Sequence, residues 1–572
     1  MSDATETKSI QNNVWFAGLL LLIGFCIFAR PLFLSWFDAI PGELGDSRFN
    51  LFVLEHWFQS LRGQNTLLSP PMFYPVRGTL GYSDAMFLFA LPYSVFRFFG
   101  ISEFGAYSLT LHLVLVLGLV GMSYFLQKRW KLPWVAAVCG SMLALIPNVA
   151  YLSVGHPQLY AVNFIPFLLL SGSAYLARLD TTRWSWNRIK YGLLTLVLLA
   201  SLFLTSFYIA WFFLFFLLLF GCTYFIFLLI TRETSTLLQL GRSLRTHGIE
   251  WLVLAVCFVL ACLPFLGIYL PVSKQMGPRP YWHIQLMLPE MLDFINVGFH
   301  NMIWGDVVQH AFPSYMLKRP FQPERLKGIP PVTLILFLGS GLLLTVQHFR
   351  RKSAKHLLQH SFAVVLFGTV LVSWLLLWKM TPKFSLWKLV FSVVPGCSAI
   401  RAVFRFQHIL VIAMAIVLVT AWFQLLQHST KKWVTYTLCA AMLWMGVEQL
   451  NTANFYQYFR TQQLKRLAAI QSPQKTGCDS FFIELDPKQP FYALNIDAMF
   501  VANRFGIPTW NGYSGNTPKG YPIVHPKDYY RRTLYWVSKH SKAYKKTCIL
   551  NFTQGTWKVC EMCEELRKRR RR

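Results

Sequence analysis

About eleven apolar stretches of roughly 17 to 25 residues recur along the chain, and that is the length a helix needs to cross a bilayer. They fall near 14–34, 104–126, 133–152, 158–177, 191–208, 210–231, 250–271, 331–348, 360–379, 408–427 and 433–450. Lipid offers backbone groups no hydrogen-bond partner, so runs of this kind fold as helices. Composition agrees, because 55% of the 572 residues are hydrophobic and 14% charged, too apolar for a soluble protein of several domains. The expected fold class is an α-helical polytopic membrane protein of about eleven transmembrane helices with a C-terminal mixed α/β extracytoplasmic domain.

The formal charge of +30 resembles that of a nucleic-acid binder. Its lysines and arginines, however, fall in short clusters between spans, so no nucleic-acid partner is expected. Lys128, Arg129 and Lys131; Arg178, Arg183, Arg188 and Lys190; Arg232, Arg242 and Arg245; Arg350, Arg351, Lys352 and Lys355; and Lys431 and Lys432 all land on one side. The positive-inside rule makes that side cytoplasmic, with the N-terminus. The loops 35–103, 272–330 and 380–407 and everything beyond 451 then share the outer face. The first apolar run has no clear cleavage site and is expected to remain as a helix. The run 191–231 is two helices long and is expected to turn at Thr205-Ser-Phe-Tyr208. The segment 84–100, which contains Pro92 and Arg97, is read as a helix lying at the interface.

After about residue 455 the spans stop. The expected division is a transmembrane module, 1–454, and an outer domain, 455–572, ending in Arg567-Lys-Arg-Arg-Arg-Arg572. Cys478, Cys548, Cys560 and Cys563 lie in this polar region, where an oxidising face favours a structural disulfide. The single CxxC does not make a zinc ribbon.

Chemistry concentrates in the first outer loop. Pro41-Gly-Glu-Leu-Gly-Asp-Ser-Arg-Phe-Asn50 is a turn that presents Asp46 just before a helix begun by Phe49–Phe58. Asp46 is the candidate catalytic carboxylate, and the alternative is that it only caps that helix. Glu43, Glu55 and Asp84 stand near it in sequence, beside Arg48, His56, Arg62 and Arg77. A second group is Val394–His408, where Arg401 and Arg405 are expected to share a helix face and to suit a phosphate or diphosphate. His156, in Val154-Gly-His-Pro-Gln158, is expected at an outer helix junction, where it could touch a substrate or a metal. The loop Trp510-Asn-Gly-Tyr-Ser-Gly-Asn516 has donors suited to carbohydrate or to a tight turn. No phosphate loop, GxSxG elbow, HExxH or Asp-x-Asp pattern occurs, so a nucleotide donor has no evident site.

These features resemble the GT-C superfamily of membrane glycosyltransferases, and within it a group of bacterial polytopic proteins. The residues that carry the resemblance are Leu44–Asn50 with Leu54-Glu-His56, Val154–Gln158, the Pro395-Gly to Arg405-Phe stretch and Asn511-Gly-Tyr-Ser-Gly515. The resemblance implies sugar transfer from a polyprenyl-phosphate or polyprenyl-diphosphate carrier to a glycan, lipid or protein acceptor at the outer face of a bacterial inner membrane. It implies that Asp46 acts as general base or aligns the acceptor, with Glu55 or Asp84 as helper, and that the substrates are held by Arg48, Arg401, Arg405, His156, Asn511 and Tyr513. No cofactor is required, and a divalent cation is left open. Several superfamily members carry an adjacent acidic pair where this chain has Asp46-Ser47. A flippase for lipid-linked glycans is the alternative function.

Overall fold

The run 191–231 breaks where its sequence predicts. The helices Trp186–Thr205 and Phe207–Ile230 meet at Ser206, whose backbone is extended. A computed structural model of the chain describes residues 13–571, apart from 152, 180–183, 312–322, 351–356, 429–430, 453–455 and 474–476. Of the basic residues used above, Arg183, Arg351, Lys352, Lys355 and Arg572 lie outside the described residues.

Every expected apolar run is helical. Among the described residues, seven helices are long and apolar enough to cross a membrane, and the pair Gly248–Ala261 and Leu263–Met276, bent by 54°, makes an eighth if counted as one span. The bend follows Cys262, where Pro264 opens the second helix. Three runs give shorter helices than expected: Val14–Phe28, Trp134–Leu145 and Lys432–Glu448. Proline accounts for two of these, because Pro31 and Pro147 follow the ends of the first and second and cannot continue their ladders. The segment expected at the interface forms the twelve-residue helix Phe87–Phe98, with Pro92 inside it. The chain is a multi-span, mostly helical membrane protein.

The polar C-terminal region is built around a three-stranded sheet. Ser480–Ile483 runs parallel to Thr547–Asn551, which is antiparallel to Thr556–Val559. Disulfides join Cys478 to Cys548 and Cys560 to Cys563. Residues 567–571 of the terminal basic run lie in the helix Glu561–Arg571.

This region is tied to the loop 35–103 at three levels. Ala39–Ile40 pairs antiparallel with Tyr458–Phe459. The amides of Phe73 and Tyr74 donate to the carbonyls of Asn511 and Thr509, each at 3.0 Å. Gly512 allows that approach, since a Cβ there would stand 2.3 Å from the Phe73 ring. Finally, the helix Asp46–Leu61 packs against Phe491–Phe505, and Arg48 makes a buried ion pair with Asp497 across that contact.

Candidate active site

The helix Asp46–Leu61 starts three residues earlier than its sequence pattern suggests, with Gly45 as its N-cap. Asp46 therefore does not cap the helix. Its own amide is capped instead by Glu43, whose Oε1 accepts it at 2.8 Å. Freed from capping, the Asp46 carboxylate sits beside a helix N-terminus, which favours negative charge.

The turn before the helix is latched to the Val154–Gln158 junction. Ser47 Oγ donates to the Gly155 carbonyl at 3.1 Å and accepts the Glu43 amide at 3.0 Å. Gly42, at φ 116°, makes room for that hydroxyl, because a Cβ there would lie 1.9 Å from Ser47 Oγ. Asn50 Nδ2 donates to the Asp46 carbonyl at 2.8 Å and to Gln158 Oε1 at 3.0 Å. These bonds bring His156 onto Asp46, with Nδ1 donating to Oδ2 at 2.9 Å.

The other carboxylate oxygen is held from the C-terminal region, where the Tyr513 hydroxyl donates to Asp46 Oδ1 at 2.6 Å. Burial pushes the Asp46 pKa up, but hydrogen bonds from His156 and Tyr513 and the charges of His156 and Arg405 outweigh it and hold the carboxyl below its ordinary value. Burial and the neighbouring Asp46 raise the Tyr513 pKa, which keeps its hydroxyl a donor. The side chains of Asp46 and His156 remain 30% and 27% exposed, so a substrate can reach them.

Behind His156, Arg405 meets two charged residues, Glu324 and Lys327, that the sequence pattern did not single out. Arg405 grips Glu324 with both arms of its guanidinium, Nε lying 2.9 Å from Oε2. Lys327 Nζ is 3.2 Å from Glu324, and His156 Nε2 is 3.7 Å from it. Burial opposes the charge on Glu324, but Arg405 and Lys327 overcome this and hold its carboxyl well below the ordinary range. Arg405 also lies over the Tyr208 ring, 5.3 Å from the centroid. Glu324 and Lys327 belong to Pro323-Glu-Arg-Leu-Lys327, a charge run between two apolar spans, and that run was the signal available for them.

The other expected site residues are placed as follows. Asp84 lies within electrostatic reach of Asp46 and Arg405, and its Oδ1 accepts the Phe207 amide at 2.9 Å, so it caps the helix Phe207–Ile230. Burial pushes its pKa up to about 6. Glu55 is not brought to Asp46. It accepts hydrogen bonds from Tyr93 and Gln59, both at 2.6 Å, and from Arg97 at 2.9 Å. Arg48 faces Asp497 and the Phe500 ring, away from the open side of Asp46. Asn511 is fully buried and ties the loop together through Ile483, Asn495 and Tyr529. The expectation that Arg401 and Arg405 share a helix face is corrected. Arg401 is exposed and lies outside any helix, while Arg405 belongs to the short turn Val403–Phe406 that precedes Gln407–His428.

Among the described residues no group of three or more His, Cys, Asp or Glu side chains is arranged to hold a metal ion. Here Glu324 is occupied by side-chain cations, and Asp46 by His156 and Tyr513.

No protein-family model and no curated protein sequence matches the chain. Solved structures do. The oligosaccharyltransferase of Archaeoglobus fulgidus, tethered to an acceptor peptide containing an NVT sequon, aligns with a TM-score of 0.50 at 10% identity, over 95% of this chain and 69% of that one. A structure of ArnT from Cupriavidus metallidurans bound to undecaprenyl phosphate aligns with a TM-score of 0.34 at 11% identity, over 94% of this chain and 93% of that one. At such identities the likeness is one of architecture: this chain shares the fold of the archaeal oligosaccharyltransferase.

Proposed function

We propose that the chain is an inverting membrane glycosyltransferase, moving a sugar from a polyprenyl-phosphate or polyprenyl-diphosphate carrier to a hydroxyl of a glycan, lipid or protein acceptor. The observation that carries this reading is Asp46, an ionised, oriented and partly exposed carboxylate next to a buried Arg405–Lys327 cation pair. The acceptor oxygen attacks the sugar's anomeric carbon while Asp46 takes its proton. The new carbon–oxygen bond forms as the bond to the carrier phosphate breaks, and the phosphate leaves with the electron pair. Arg405 and Lys327, both buried, counter the charge that develops on it. Tyr513 and His156 hold Asp46 in the charged form and in register.

The fold shared with the archaeal oligosaccharyltransferase supports a transferase. Positive-inside clustering supports a cytoplasmic N-terminus, with the site and the 455–572 domain at the outer face of a bacterial inner membrane. On this reading the 1–454 module supplies the base and the C-terminal domain closes over it.

The 54° break between Gly248–Ala261 and Leu263–Met276 favours a second reading, a flippase, because broken helices mark many carriers. One experiment separates the two. The purified chain in vesicles is given a labelled polyprenyl-phosphate sugar and candidate acceptors, and the label is followed by mass spectrometry. Transferase activity appears as a new glycoside; label that crosses the bilayer still attached to its carrier would mean flipping.

A further inference from the structure

At the end of the molecule remote from Asp46, the helices Glu103–Trp130 and Gln407–His428 leave a cavity of about 370 Å³ between them, lined by Gln127, Lys128, Lys131, Leu132, Pro133 and Phe423. The helix Glu103–Trp130 starts beside the first outer loop and is 28 residues long, so at 1.5 Å per residue its two ends lie roughly 40 Å apart. The cavity therefore stands at the opposite membrane surface from Asp46. It is not part of the transfer site.

Its lining divides in two. Leu132, Pro133 and Phe423 give an apolar wall, whereas Lys128 and Lys131 are exposed and make no ion pair among the described residues. Lys131 is fixed at the rim in a left-handed conformation, at φ 54°, by which it ends the helix. Among the described residues no acidic side chain lines the cavity. Two free ammonium groups over an apolar wall, at the depth where a span leaves the hydrocarbon, match a phosphate group attached to acyl chains. The volume is within the range of small-molecule sites and admits a glycerophosphate headgroup.

We propose that this cavity binds the phosphodiester headgroup of an anionic membrane lipid, with Lys128 and Lys131 as the phosphate contacts and Phe423 and Leu132 against the start of the acyl chains. Free phosphate shares the anionic chemistry but would gain nothing from the apolar wall.

The test is native mass spectrometry of the full-length chain in detergent, titrated with phosphatidylglycerol, with phosphatidylcholine and with inorganic phosphate. Lys128→Gln with Lys131→Gln is expected to weaken phosphatidylglycerol binding at least fivefold and to leave phosphatidylcholine unchanged. Both lysines are exposed, so the double variant should fold. Lys190→Gln with Arg242→Gln removes the same charge at two other exposed positions, and is expected to bind phosphatidylglycerol as the unchanged chain does. An equal loss in both double variants would show a diffuse surface effect and overturn the site, as would no loss in the first. Displacement of phosphatidylglycerol by millimolar phosphate would overturn the lipid assignment.

Discussion

Asp46 and Arg48 stand two residues apart at the start of one helix, yet they meet opposite fates. Asp46 is 30% exposed and is held by a histidine and a tyrosine, whereas Arg48 is 1% exposed and sealed against Asp497. Two residues along a helix turn a side chain through about 200°, so one faces the open site and the other the packed C-terminal helix. Both are charged residues in one short motif, and only solvent access separates a group that can meet a substrate from one that holds two segments together. Glu55 belongs with Arg48, since its carboxylate is saturated by Tyr93, Gln59 and Arg97.

The contrast fails most visibly if the sealed pair is dispensable. Asp497→Ala leaves the Arg48 guanidinium buried without its carboxylate, at a cost of about 3–5 kcal/mol. Detergent-extracted protein should melt much earlier and accumulate poorly, while Arg48→Met with Asp497→Leu recovers most of the loss. Normal melting of Asp497→Ala would mean that the pair does not bind the two regions.

On the open side, Arg405→Lys keeps the charge but loses the planar fork toward Glu324 and the phosphate. Donor kcat/KM is expected to fall about 10- to 100-fold, with protein abundance retained. An unchanged kcat/KM would remove Arg405 from phosphate recognition.

Tyr513→Phe tests the contribution of the C-terminal region more gently. The hydroxyl lowers the Asp46 pKa, so removing it raises that pKa, and the base is then ionised only at higher pH. The acid limb of the rate profile should shift upward, with roughly a tenfold loss below it. A profile of unchanged shape would reduce Tyr513 to a packing contact.

The smallest effect is expected at Asp84. Its pKa is raised to about 6 by burial, so ionisation costs stability that is fully felt above about pH 6 and is absent below the ordinary carboxylate range. Asp84→Asn keeps an acceptor for the Phe207 amide. Its melting temperature should exceed that of the unchanged chain near pH 8, and the two should converge near pH 4. A lower melting temperature for the variant near pH 8 would instead make the Asp84 charge stabilising.

Much of the architecture was readable because spans are local: the apolar runs, the Ser206 break and the short helix Phe87–Phe98 all follow from neighbouring residues. Asp46, His156, Arg405 and Tyr513 could also be named, because each sits in a polar turn or junction that interrupts apolar sequence. The partners of Arg48 and Glu55 could not. Asp497 is 449 positions from Arg48, and no periodicity reports a contact made by the packing of so distant a segment. Glu324 and Lys327 were hidden for a related reason, as ordinary loop charges whose burial depends on where Arg405 is brought. Asn511 looked like a substrate donor, and its amide is spent inside its own domain.

The central claim is that Asp46 serves the reaction while the sealed charges serve the fold. The most direct measurement compares Asp46→Asn with Glu55→Gln in vesicles supplied with the labelled polyprenyl-phosphate sugar and its acceptor, at matched amounts of folded protein. Asp46→Asn should lose transfer by at least about 100-fold with its melting temperature little changed, whereas Glu55→Gln should melt earlier but keep its rate per folded molecule. Full transfer by Asp46→Asn at unchanged abundance would contradict the account.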